Sequence, residues 1–158
     1  MKTLIEVVLA GAVFSSTLAA EAQSLYGTSR TYGDITYHDY YDSDGDMITG
    51  TSRAYGATIY QSFTDSNGGF LSGTTRSYGD IAYHNCYDSD AGMISGTSRA
   101  YGNIIYQDFS DSDGDSISGT ITTFGNTAYY DYSTPDGDSV SGDSTTIGDT
   151  TFTTLSDW

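Results

Sequence analysis

Asp42, Asp44 and Asp46 stand at alternate positions in "YDSDGDMITG" (41–50), around a single glycine, Gly45. Three carboxylates at that spacing match the first ligands of an EF-hand loop, where hard oxygen donors surround Ca2+. The trio recurs as Asp111, Asp113 and Asp115. These six are the candidate metal ligands. The loop departs from the EF-hand in two ways: its glycine lies between the second and third Asp, and no Glu follows to close the shell. The equivalent segments also vary. One has Asp65, Asn67 and Gly69, another Asp88, Asp90 and Gly92, and a third places Thr134-Pro135 before Asp136. A required ligand set would not fade in this way, whereas a hairpin turn tolerates Asp, Asn, Gly and Ala. The turn reading is favoured. Ca2+ is retained as a weak occupant of an acidic edge, and no other cofactor is expected.

The remaining chemistry-bearing residues form no catalytic set. There is no Ser/His/Asp or Cys/His constellation, no phosphate-cradling loop and no zinc spacing, so no enzyme is expected. His38 and His84 share a slot that holds Gln61 and Gln107 elsewhere, and are expected as sheet-surface residues. Cys86 has no second cysteine to pair with. It could bridge two chains, but it occupies an aromatic slot of the repeat and reads as a small packing residue.

That repeat is the organising feature. Units of 23 residues run over 28–50, 51–73, 74–96, 97–119 and 120–142, with a partial unit at 143–158. Units one and three share "YGDIxYH", and units two and four share "SRAYGxxIYQ". Each unit reads as two strands and two turns. The first turn centres on Gly33, Gly56, Gly79, Gly102 or Gly125, each followed by a small residue, as a two-residue hairpin with φ > 0 at its first position requires. The second is the Asp-Ser-Asp-Gly segment. Runs rich in Tyr, Ile, Thr and Ser lie between them, which is strand chemistry. The fold class expected is all-β: tandem hairpins in an antiparallel meander or β-solenoid of about twelve strands.

If Gly33-Asp34 is the loop, Tyr32 pairs with Ile35 and Arg30 with Tyr37. One face then carries Arg30, Tyr32, Ile35, Tyr37 and Asp39, and the other Thr36, His38, Tyr40, Ile48 and Gly50. Stacked units make columns: Tyr37, Tyr60, Tyr83, Tyr106 and Tyr129; Tyr32, Tyr55, Tyr78 and Tyr101, continued by Phe124; and Tyr40, Phe63, Cys86, Phe109 and Tyr132. Arg30, Arg53, Arg76 and Arg99 face the Tyr37 column, which permits cation–π contact. Both faces carry aromatic groups, so neither is marked as the wet one.

Residues 1–22 resemble a secretory leader, with Lys2, an apolar stretch and Ala20-Glu21-Ala22 as a cleavage pattern. The domain expected is 23–158, secreted and held outside the cell or on its surface. It carries no Lys, no Glu, four Arg and 19 Asp, a net charge of −15. Nucleic acid is excluded as a partner, because it requires a basic surface. Stable membrane insertion is not expected either: Trp158 is similar to the terminal aromatic of outer-membrane barrels, but the preceding strand lacks their apolar outer face. Gln23 to Trp158 begins just after one long turn and stops just before another. The end strands are therefore two halves of one missing hairpin. They can meet within a chain and close it, or between chains and build a head-to-tail filament.

The run "YDSDGDMITGTS" resembles the YD-type hairpin repeats of secreted bacterial proteins and the Tyr-Gly hairpin repeats of choline-binding and clostridial toxin tails. The resemblance implies an exported hairpin array. A choline site does not carry over, since the paired tryptophans are missing. The functional expectation is a structural repeat protein that adds edge to edge into a fibre or surface layer, with an adhesin-like glycan binder or a weak calcium-binding module as the alternative.

Overall fold

The computed structural model describes residues 2–9, 12–19, 24–89 and 92–157, with side chains over 24–89 and 92–156. Fourteen strands are present in it: β1 Lys2–Leu9, β2 Ala12–Ala19, β3 Ser24–Tyr32, β4 Ile35–Asp42, β5 Met47–Tyr55, β6 Thr58–Asp65, β7 Phe70–Tyr78, β8 Ile81–Asp88, β9 Gly92–Tyr101, β10 Ile104–Ser110, β11 Ser116–Phe124, β12 Thr127–Ser133, β13 Ser139–Ile147 and β14 Thr150–Asp157. β3 to β14 form an antiparallel meander that closes into a twelve-stranded barrel by pairing β14 with β3.

The hairpin register follows from the turn residues. Tyr32 pairs with Ile35, Arg30 with Tyr37 and Tyr40 with Ile48, as the alternation requires. The short-turn glycines, from Gly33 to Gly148, have φ between 59° and 64°, a region that only glycine enters without strain.

Closure replaces the open solenoid that the repeat also allowed. Its cause lies in the end strands. Leu155 faces Leu25 and Thr153 faces Gly27 across the seam, the same register that sets Tyr40 against Ile48 and His38 against Gly50 inside a covalent hairpin. One backbone bond ties each of the first five short turns to the next hairpin, for example Ala54 N–H to Asp34 O at 3.1 Å. Thr31 N–H to Asp149 O, also 3.1 Å, repeats that bond across the seam. The strands twist in one sense, so six complementary hairpins curl until their free edges meet. The barrel keeps no unpaired edge, which removes the route for head-to-tail strand addition unless the β3–β14 seam opens.

Alternation now sorts the two faces. The inward set holds Tyr40, Phe63, Cys86, Phe109, Tyr132 and Leu155 beside Leu71, Ile94, Ile117 and Val140, all buried. Cys86 is a packed, buried thiol. Each member of the first row lies across from a glycine: Gly27, Gly50, Gly73, Gly96, Gly119 and Gly142 in turn. A Cβ built on Gly50 or Gly96 would overlap the ring of Phe63 or Phe109. These side chains pack onto the bare backbone of the facing glycines.

β1 and β2 form a separate antiparallel ribbon. Its backbone lies close to β6, β7 and β8 on one side and β11 on the other. Twelve strands enclose more space than the roughly eight that side chains alone can fill. The expected leader, 1–22, falls on this ribbon and on residues 1, 10, 11 and 20–22, which lie outside the described residues. Among the described residues the barrel pairing of β3 begins at Ser24.

Candidate functional site: a tyrosine-belted outer wall over a neutral hydrogen-bonded interior

The long turns account for their aspartates locally. Asp42 Oδ1 accepts the backbone N–H groups of Asp44 (3.0 Å) and Asp46 (2.9 Å). Asp65 does the same for Asn67 (2.9 Å) and Gly69 (2.7 Å), and Asp111 for Asp113 (2.9 Å) and Asp115 (3.0 Å). In unit five Thr134 Oγ1 accepts from Asp138 N–H at 3.2 Å. This explains why Thr can stand at the first position: the turn needs a side-chain acceptor there, not a charge. Asp46 is also engaged, accepting from Ser66 Oγ (3.1 Å) and Asn67 Nδ2 (2.8 Å) of the neighbouring turn. Among the described residues no three His, Cys, Asp or Glu side chains gather where they could hold an ion. Asp90 lies outside the described residues.

His38 and His84 are not surface residues. They are 2% and 3% exposed and form part of a polar row inside the barrel. Their slot continues as Gln61, Gln107, Tyr130 and Thr153, one per repeat. His38 sits between Ser29 Oγ (2.8 Å from Nδ1) and Ser52 Oγ (2.6 Å from Nε2), and Ser29 Oγ also meets Tyr40 OH at 2.6 Å. His84 sits between Thr75 Oγ1 (2.9 Å) and Ser98 Oγ. Gln107 Nε2 donates to the same Ser98 at 2.9 Å, and Tyr132 OH donates to Gln107 Oε1. Tyr130 OH meets Ser144 Oγ at 2.8 Å. Burial lowers both imidazoles to about 4 and raises Tyr40 and Tyr130 to about 12, because a charged form would lose its water. The row is therefore neutral at pH 7. Its members pair with one another and with the flanking hydroxyls, except that Thr153 Oγ1 has no hydrogen-bond partner among the described residues. Asp88, at the end of β8, is a buried carboxylate on the same inward face.

The outward face carries the tyrosine columns. Beside five of the six short turns two rings meet edge to face: Tyr32 and Tyr37 at 6.1 Å, Tyr55 and Tyr60 at 5.9 Å, Tyr78 and Tyr83 at 6.1 Å, Tyr101 and Tyr106 at 6.0 Å, Phe124 and Tyr129 at 6.2 Å. Ile147 and Phe152 complete the belt. Its members are 46% to 67% exposed. The arginines face the Tyr37 column as expected, but the cation–π contact of Arg53 runs along its own strand. Arg53 lies 4.7 Å over the ring of Tyr55, two residues along its own strand, and donates to Asp34 at 3.3 Å. Arg99 donates to Tyr101 OH at 3.3 Å.

Below the belt the outer wall turns polar. Thr28, Thr51, Thr74, Thr97, Thr120 and Asp143 form one row, and Asp39, Ser62, Asn85, Asp108, Asp131 and Thr154 the next. No helix among the described residues is long and apolar enough to cross a membrane. Exposed Asp39, Asp108, Asp131 and Asp143 lie in these two rows.

These features define a class, a closed meander barrel whose interior sets a buried polar row beside an apolar core and whose outer wall carries an aromatic belt. No protein-family model, curated protein or solved structure matches the chain.

Proposed function

We propose that this protein is an exported barrel that binds glycans through its outer wall. The observation that carries the reading is the belt of paired, half-exposed rings beside a waist of hydroxyls, carboxylates and amides. Cross-strand ring pairs do stabilise hairpins, by roughly 0.5–1.5 kcal/mol each. A continuous exposed belt exceeds that need and is of a size that usually marks an interaction surface. Sugar faces stack on exposed aromatic rings, and sugar hydroxyls pair with Asp, Asn, Ser and Thr. The acidity disfavours anionic partners.

The test is a glycan array probed with the full chain and with Y60A/Y83A/Y106A. Retention of neutral glycans by the parent, with at least a tenfold loss in the variant at unchanged circular dichroism, is the expected outcome. Retention by the variant at parental strength would refute the role of the belt.

A second reading keeps the fibre or surface-layer role. The same belt could pack barrel against barrel side by side, without strand edges. Concentration-dependent sedimentation that disappears in the triple variant would favour it.

A further inference from the structure

We infer that the outer wall over β8 to β12 is a groove for an extended, non-acidic β-linked polysaccharide, read at one disaccharide per hairpin. This rests on the glycan reading above and specifies it.

Two shallow depressions adjoin there. The first, about 480 Å³, lies across β8 to β10 with Tyr83 at its rim and Asn85, Thr97, Asp108 and Ser110 along its sides. The second, about 370 Å³, lies across β10 to β12 with Tyr106 at its rim and Ser118, Thr120 and Asp131 along its sides. Gly96 and Gly119 contribute bare backbone to the two. Asp108 lines both and stands where the two adjoin. The two rims are equivalent positions of the repeat, 23 residues apart, with Tyr83 47% and Tyr106 48% exposed.

The offset between the depressions is two strand spacings, roughly 10 Å. That is close to the length of one disaccharide step in an extended β-linked chain. A polymer laid across the strands would meet a ring and a set of polar groups once per step. A branched or compact glycan would meet them once only. Asp108 and Asp131 can accept hydrogen bonds from sugar hydroxyls and repel uronate or sulfate groups. Unit five has Thr122 where the earlier units carry arginine, while Arg99 faces the rim ring Tyr106 from β9.

The experiment is calorimetric titration of the full chain with a length series of neutral β-1,4-linked oligosaccharides, a disaccharide to a hexasaccharide, and with an oligogalacturonate. The parent is expected to bind the hexasaccharide at least tenfold more tightly than the disaccharide, and the oligogalacturonate not at all. D108A is expected to abolish the length dependence. Asp108 is exposed, so the variant's melting curve should match the parent's. T97A/T120A, which trims the walls without touching the charge, should weaken the hexasaccharide alone. Equal affinity for disaccharide and hexasaccharide, or an unaffected D108A, overturns the groove while leaving a glycan-binding belt intact. Absence of binding to these and to every arrayed glycan removes the belt reading as well.

Discussion

Between pH 6.5 and about 4 the full chain should lose most of its stability, and H38Q/H84Q should keep it. Each imidazole is held near 4 in the folded barrel by burial, against an ordinary value of 6.5. The folded-state value lies below the unfolded one, so between these two pH values the unfolded chain binds more protons. Stability is then complete above pH 6.5 and falls as the pH falls through the window. A shift of this size corresponds to on the order of 3 kcal/mol per histidine. Two of them approach the whole stability of a typical domain. The substitution is one that the protein already makes, since Gln61 and Gln107 fill the same slot and reach Thr75 and Ser98. Urea titrations at half-unit pH steps give the answer. Parallel acid loss in parent and variant would show that the histidines are not the cause.

Gly96→Ala and Gly50→Ala should be severely damaging single-methyl changes in the barrel wall, in company with Gly142→Ala, Gly27→Ala and Gly119→Ala, whose added Cβ meets the carbonyls of Thr154, Asp39 and Asp131 more closely still. The added Cβ meets the ring of Phe109 and the carbonyl of Asp108 across the strand at Gly96, and Phe63 and the Ser62 carbonyl at Gly50. A flexible side chain could yield, but a backbone oxygen in a closed ladder cannot move alone. Overpacking of this kind costs about 1–3 kcal/mol, with the upper end expected here. Ser95→Ala, next in sequence but exposed on the outer face, should change the midpoint by less than about 0.5 kcal/mol. F109A should cost less in the G96A background than in the parent, because the two share one volume. Additive costs would mean that the ring does not lie on the glycine.

The hairpins were legible in the sequence because their information is local. Gly33-Asp34 sets a two-residue turn, and the alternation of Tyr32, Ile35 and Tyr37 then fixes the register. The choice of inner and outer face was not legible from hydrophobicity, because Tyr40 and Tyr37 offer similar apolar area to opposite sides. The deciding signal was the glycine that ends each unit. Gly50 and its equivalents share a face with His38 and Tyr40, and bare backbone opposite a large ring marks an inner wall where small and large residues alternate. Once that face is inside, His38 and His84 must be buried and neutral. Closure depends on β3 and β14, which are far apart in sequence and carry no turn to announce their pairing. Matching phases at the two ends made it possible, and the accumulated twist of twelve strands selects it over a filament. The groove at Asp108 was invisible for a related reason: Asn85, Asp108 and Asp131 read as ordinary polar positions until adjacent hairpins set them side by side.

Everything proposed for the outer wall requires the seam between the first and last barrel strands to close within one chain. Tyr26 and Thr154 face each other across it on the outer surface, at the roughly 4.5–5.5 Å Cα separation of opposed strand residues, which a disulfide can span. Y26C/T154C in a C86A background, oxidised at low concentration and analysed by non-reducing mass spectrometry after proteolysis, measures that closure directly. A quantitative intrachain link joining the Tyr26 and Thr154 peptides in a monomer is expected. Links found only between chains would contradict the closed barrel and return the end strands to the role of assembly edges.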